Sequence, residues 1–291
     1  MIELPDVTNE REYRVFAMKR SGHHAVMNWL IGHFSGPIYF LNNGSFEQQI
    51  EFCSTRVGRM QRTGLFSGRV SIFCNRGENM QLVEHIHKKE YLDDPPRRLR
   101  AMLASEKKTL EETPFPTERE AYLFNLEDFH LDDLPLVPWE ATARGNSAKS
   151  RGLIVLRDPY NWLASRKKGN FPISQEVLSA WKSHAREAVK PEKLDQPLVI
   201  NYNLWFQSQD YRESIADCLQ LTPTDEGIDY IADFGGGSSF TGFEYQHRAR
   251  EMGVLTRYKE FKHDAEYRRY FEEDPELVAL GKEVFAMSPL R

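Results

Sequence analysis

The sequence predicts an α/β fold, a central and mostly parallel sheet flanked by helices, with a helical insertion. Two observations carry that expectation. Short apolar runs alternate with stretches of helical periodicity, which is the pattern of strands joined by crossover helices. The chain of 291 residues, 40% hydrophobic and 12% aromatic, also has enough large apolar surface to bury one substantial core. A single domain over residues 1–291 is expected.

Val15–Met18 reads as the first strand and His24–Phe34 as the first helix, ending before Gly36-Pro37. Ile38–Leu41 is a second strand, closed by the turn signal Asn42-Asn-Gly-Ser45. Val70–Cys74 reads as a strand and Met80–Lys88 as a helix. Beyond Pro95-Pro96 the segment Arg97–Glu112 is highly charged, with Leu99, Met102, Leu103 and Leu110 between the charges. Residues 90–119 are therefore expected to form a helical insertion or a mobile surface segment. Ala121–Phe124, Gly152–Leu156 and Pro197–Ile200 supply three further strands, and Tyr160–Lys168, Ser174–Val189 and Leu204–Leu219 three helices. Ligands of such sheets sit beyond the carboxyl ends of the strands.

A net charge of −5 and a pI near 6.0 argue against non-specific nucleic-acid binding, so an anionic ligand must be held by local basic clusters. Cys53, Cys74 and Cys218 lack the spacing of a zinc site or a disulfide framework. The pair His85 and His87 would diverge on a helix, and no metal is expected. No apolar stretch reaches the ~20 residues of a membrane span, and no hydrophobic signal opens the chain. The expectation is a soluble, cytoplasmic protein.

Two motifs carry chemistry. In the first, strand Val15–Met18 runs through Lys19, Arg20, Ser21 and Gly22, followed by His23 and His24, towards the helix. A glycine-bearing basic turn at a helix N-terminus aims N–H groups and cationic side chains at one point, which suits a phosphate or sulfate. It is not a Walker A loop, because its basic residues precede the glycine. In the second, Leu156 is followed by Arg157, an N-cap at Asp158, a first-turn Pro159, and Ser165 two helical turns on. A guanidinium at the strand end and a hydroxyl from the helix can converge on one phosphate.

Together these motifs resemble the sulfotransferases that use 3′-phosphoadenosine 5′-phosphosulfate (PAPS), which implies an α/β fold of the P-loop nucleotide-binding type. The resemblance covers residues 13–34 and 152–168, and the Arg-x7-Ser spacing of Arg157 and Ser165 is its most specific part. It implies that Lys19, Arg20, Ser21, Gly22, His23 and His24 hold the 5′-phosphosulfate, and that Arg157 and Ser165 hold the 3′-phosphate. Histidines stand at two loop positions where the family carries hydroxyls. The late loop Gly235–Gly242, with Gly237, Ser238 and Ser239, falls where the family closes over the nucleotide, assisted by Arg248, Arg250 or Arg257.

The reaction implied is in-line transfer of a sulfuryl group to a hydroxyl or amine of a small-molecule, lipid or carbohydrate acceptor, without a metal. Arg20 would stabilise the departing phosphate. A base would take the acceptor's proton, with Glu127 the leading choice and His130, Asp128 and His24 behind it. Two other readings compete: an ATP-dependent P-loop kinase, and a nucleotide-binding module without catalysis.

Overall fold

The computed structural model describes residues 8–36, 38–42, 69–76, 79–86, 118–136, 146–231 and 237–288. It has an α/β fold. The chain divides into two units, and strands β1 (Thr8–Ala17) and β6 (Asn146–Leu156) each run from the first into the second.

The first unit comprises Met1–Val15, Phe34–Glu127 and Pro135–Arg151. Its strands β2 (Ile38–Asn42), β3 (Arg69–Arg76), β4 (Asn79–Ile86) and β5 (Glu118–Glu127) pair with β1 and β6 in the order β4-β3-β2-β5-β1-β6. Strand β2 lies parallel to β5, with Ile38 opposite Ala121, while β3 and β4 form antiparallel pairs at the edge. The four residues Ala121–Phe124 are buried, as a strand covered on both faces requires. Polar side chains stitch β1 to β6: Asn9 donates to Ser147 Oγ at 3.0 Å, Ser147 to Glu12 at 2.8 Å, and Arg14 to Ser150 at 2.8 Å.

Two expectations are corrected here. The segment from Met80 is a strand rather than a helix; Met80, Leu82 and Ile86 alternate with period two, and the pairing with β3 fixes that period. Glu118 and Arg119, assigned to the insertion, begin β5. Residues 90–117, the rest of that insertion, lie outside the described residues.

The second unit comprises Phe16–His33, Asp128–Leu134 and Gly152–Arg291. The ends of β1 and β6 continue into the order β1-β6-β7, with β7 (Leu198–Asn201) parallel to β6. Around them pack α1 (His23–Ile31), α2 (Pro159–Lys168), α3 (Gln175–Val189), α4 (Tyr202–Gln207), α5 (Gln209–Cys218), α6 (Ala265–Glu272) and α7 (Pro275–Phe285). Side-chain caps start most of them, from Asp158, Ser174, Asn201, Ser208, Asp264 and Asp274. The helix expected over Leu204–Leu219 is in fact two. Ser208 ends α4 in an extended conformation, and its hydroxyl caps α5 through Tyr211 N at 3.1 Å. Indole rings fill the interior, with Trp162 stacked on Trp181 at 6.1 Å and Trp29 edge-on to Trp205 at 6.2 Å. No described helix is long and apolar enough to cross a membrane.

His184 of α3 is wholly buried. Its Nε2 bonds to the Phe129 carbonyl at 2.8 Å, and its Nδ1 has no hydrogen-bond partner among the described residues. Burial holds the imidazole down to about 4, so it is neutral in the folded protein. The unfolded chain, titrating near 6.5, takes up the proton first. Stability from this group is therefore complete above pH 6.5 and falls as pH drops towards 4, by roughly 3 kcal/mol in all. Urea unfolding at pH 7 and pH 4.5 should show that loss, and His184→Asn should flatten the difference.

Candidate functional site

The turn after β1 is fixed by its backbone. Ser21 N–H bonds to the Met18 carbonyl at 3.0 Å, while Arg20 (φ 70°) and Gly22 (φ 87°) adopt left-handed conformations on either side of Ser21. Such a turn gathers N–H groups into a concave nest. Gly22 is required twice over: by its φ, and because a Cβ there would lie 2.3 Å from the Tyr202 ring. Lys19 is locked through its main chain. Its N–H bonds to Asp128 Oδ1 at 2.9 Å, and its carbonyl accepts from Trp162 Nε1 at 3.0 Å and Arg166 at 3.3 Å. Asp128 in turn chelates the Arg166 guanidinium at 2.9 and 3.0 Å, so it is a latch behind the turn.

Beside this turn the second unit holds an open cleft of about 640 Å³. Arg20, Gly22 and His24 line it from the turn, Arg157 from the end of β6, and Gly237, Ser238 and Arg257 from the late loop. Tyr202, Tyr230, Ile231, Met252 and Val254 supply an apolar and aromatic wall. None of the described residues lining the cleft is acidic.

Three guanidinium groups thus meet in one cleft. Arg20 donates to the Gly237 carbonyl at 3.1 Å and sits over the Phe171 ring at 5.4 Å. Arg157, 2% exposed, donates to the Arg20 carbonyl at 3.3 Å, to Ser165 Oγ at 3.0 Å and to the Val254 carbonyl. Its Nε is buried with no hydrogen-bond partner among the described residues. Arg257 donates to Ser165 Oγ at 3.2 Å and Ser238 Oγ at 2.8 Å, with Phe240 beneath it at 4.8 Å. Burial, and then the neighbouring Arg157, pull Arg257 down to about 9, and burial lowers Arg157 as well. Both remain cations at neutral pH. Neither pairs with a carboxylate among the described residues.

The helix that follows Arg157 organises this arrangement. Asp158 caps Asn161 N at 2.9 Å and accepts from Asn203 at 2.9 Å. Asn161 donates to the Leu255 carbonyl at 3.1 Å and accepts from Tyr258 N at 3.2 Å, pinning the chain on both sides of Arg257. Ser238 closes the late loop by a two-way backbone pairing with Gly242, and its hydroxyl accepts from Phe240 N and Thr241 N. Its neighbour Gly237 has φ 75°.

Of the expected residues, the cleft brings together Arg20, Gly22, His24, Arg157, Gly237 and Ser238. Others are not among its described lining residues. Ser21 and His23 are buried and hydrogen-bonded to each other at 3.3 Å, and Ser165 is fully buried behind the arginines. Ser239 packs near Gly169 with its hydroxyl buried. His130 lies against α3, bonded to Ser179 Oγ at 3.2 Å. Glu127 ends β5 in the first unit, where Asn125 donates to it at 3.3 Å. Arg257 is the late arginine that reaches the cleft; Arg250 is chelated by Asp229, and Arg248 pairs with Glu251. Only tertiary placement separates these three, because none of them stands in a motif.

Compared with known proteins, the chain matches no protein-family model, and no curated protein sequence matches it.

Proposed function

We propose that the chain is a PAPS-dependent sulfotransferase. The observation that carries this reading is the pairing of Arg157 and Arg257 in a cleft whose described lining has no acid. Buried cations without carboxylates call for an anionic ligand with several charges. The anion turn at Arg20–Gly22 lies on the same cleft as Arg157, which suits a nucleotide anchored at both its 5′ and its 3′ phosphate. The aromatic wall of Tyr202 and Tyr230 suits the base between them.

In the reaction the acceptor oxygen or nitrogen forms a bond to sulfur while the bond from sulfur to the 5′-phosphate oxygen breaks. The products are the sulfated acceptor and adenosine 3′,5′-bisphosphate. Charge grows on the departing oxygen, and Arg20, which lines the cleft from the turn, is our choice to stabilise it. The acceptor's proton passes to a base. Among the described residues lining the cleft, His24 offers an imidazole nitrogen that can accept a proton, and we assign it that role.

Calorimetry with adenosine 3′,5′-bisphosphate, ADP and ATP tests the reading. The bisphosphate should bind at least about tenfold more tightly than ADP, the share of one charge-assisted phosphate contact. Equal affinities, or a preference for ATP, would overturn it and favour a kinase. Transfer of labelled sulfate from PAPS to a panel of alcohols and amines should disappear in Arg20→Ala. Loss of transfer in Glu127→Gln with retention in His24→Asn would move the base to Glu127.

A further inference from the structure

We infer that Arg166 is a positioning residue for Arg20: it ties the turn that carries Arg20 to the bend that carries Phe171, and so sets where the Arg20 guanidinium stands. The inference rests on the nucleotide reading only for the task of Arg20, which is to meet a 5′-phosphate.

Arg166 is buried, and its donors are divided between two places in the chain. Nε and Nη2, one edge of the planar fork, donate to the Pro172 carbonyl at 3.0 and 2.6 Å. Nη1 donates to the Asp128 carboxylate at 2.9 Å and to the Lys19 carbonyl at 3.3 Å. The Arg166 carbonyl, for its part, accepts from Phe171 N–H at 2.9 Å. One residue therefore holds Phe171 from both sides, by the N–H before its ring and by the carbonyl that follows. Asn170, at φ 55°, turns the chain back between them. The ring so presented packs on Gly169, where a Cβ would lie 2.9 Å from it, and its centroid is 5.4 Å from the Arg20 guanidinium.

The Lys19 carbonyl belongs to the peptide that leads into Arg20. Arg166 thus fixes the backbone from which Arg20 departs and also the surface on which its far end rests. An arginine side chain has many rotamers, and ordering one at the moment of binding costs affinity. The Phe171 ring and the Gly237 carbonyl, which accepts from Arg20 at 3.1 Å, order it beforehand. A ring face suits this task, because it attracts a cation and leaves the charge intact for an incoming anion.

Calorimetry with two nucleotides tests this: adenosine 3′,5′-bisphosphate, and adenosine 3′-phosphate, which lacks the group that Arg20 meets. Arg166→Lys keeps a buried cation beside Asp128, but a single ammonium cannot replace the fork that also holds Pro172. This variant and Phe171→Leu should each weaken the bisphosphate about three- to tenfold, the share of a cation–π contact, and leave adenosine 3′-phosphate within about twofold. Combined, the two losses should not multiply, because both act through the same ring. Equal losses for both nucleotides, or losses that multiply in full, would overturn the inference and make Arg166 a structural residue alone. A second readout needs no nucleotide. In ligand-free protein the Phe171 ring should shift the Arg20 Nε–H resonance upfield, and that shift should vanish in Phe171→Leu and in Arg166→Lys. A resonance unmoved by Arg166→Lys would overturn the inference. If that variant does not fold, Asp128→Leu with Arg166→Met removes both buried charges together and should abolish the same shift. Failure of the wild type to bind the bisphosphate would defeat the sulfotransferase reading, while the resonance would still decide the role of Arg166.

Discussion

Arg157→Ala should weaken binding of adenosine 3′,5′-bisphosphate by a hundredfold or more, with little change in the affinity for ADP. Removing one member of a buried, charge-assisted contact costs about 2–5 kcal/mol, which spans roughly 30-fold to several thousandfold in affinity. Arg157 belongs at the upper part of that span because five separate groups hold it. Trp181 Nε1 bonds to its carbonyl at 3.2 Å, its guanidinium bonds to Ser165, Arg20 and Val254, and the Tyr202 ring lies 5.4 Å away. Arg157→Lys should not restore binding, since an ammonium cannot reproduce a planar fork that reaches both Ser165 and Val254. Calorimetry with the two nucleotides checks the prediction, with circular dichroism to show that each variant is folded. Equal losses for ADP and the bisphosphate would show that Arg157 serves the cleft only as a structural member.

The second large effect concerns Asp128, a residue that sequence alone places among the candidate bases. Asp128→Ala should cost about 3–5 kcal/mol of stability, read from urea unfolding, because it leaves the Arg166 guanidinium buried without its carboxylate. The same change frees Lys19 N–H from the side chain that bonds it at 2.9 Å, so the anion turn loosens as well. Replacing both partners, with Asp128→Leu and Arg166→Met, should recover much of the lost stability. A catalytic role would appear differently: Asp128→Ala would leave stability unchanged and abolish transfer.

Much of this was legible in the sequence, and the reasons are local. Arg157-Asp-Pro announces a strand end, a cap and a first helical turn, and the structure has all three. Gly22 was readable as a close-approach glycine because it stands between a basic pair and an apolar periodic run. Strand β4 was not, since its eight residues contain enough apolar positions to satisfy either period, and only pairing with β3 decides between them. Ser208 was hidden for a related reason: the apolar pattern continues across it from Leu204 to Ile215, while the break is made by one hydroxyl. Arg257 was unreadable for want of any local pattern. Its place is set by Asn161, almost a hundred residues earlier in the chain.

The bonds that build the cleft join residues far apart in the chain: Arg157 and Val254 are 97 positions apart, Arg20 and Arg157 137, and Arg20 and Gly237 217. Contacts of that span carry the full entropy of closing long loops, so they form after the local helices are in place. A chain still being synthesised has the anion turn and the capped helix α2 long before it has Val254 to receive Arg157. During that interval the arginine's charge faces water. The assembled cleft is therefore the last feature this sequence acquires as it folds, and the first it gives up when its far end comes loose.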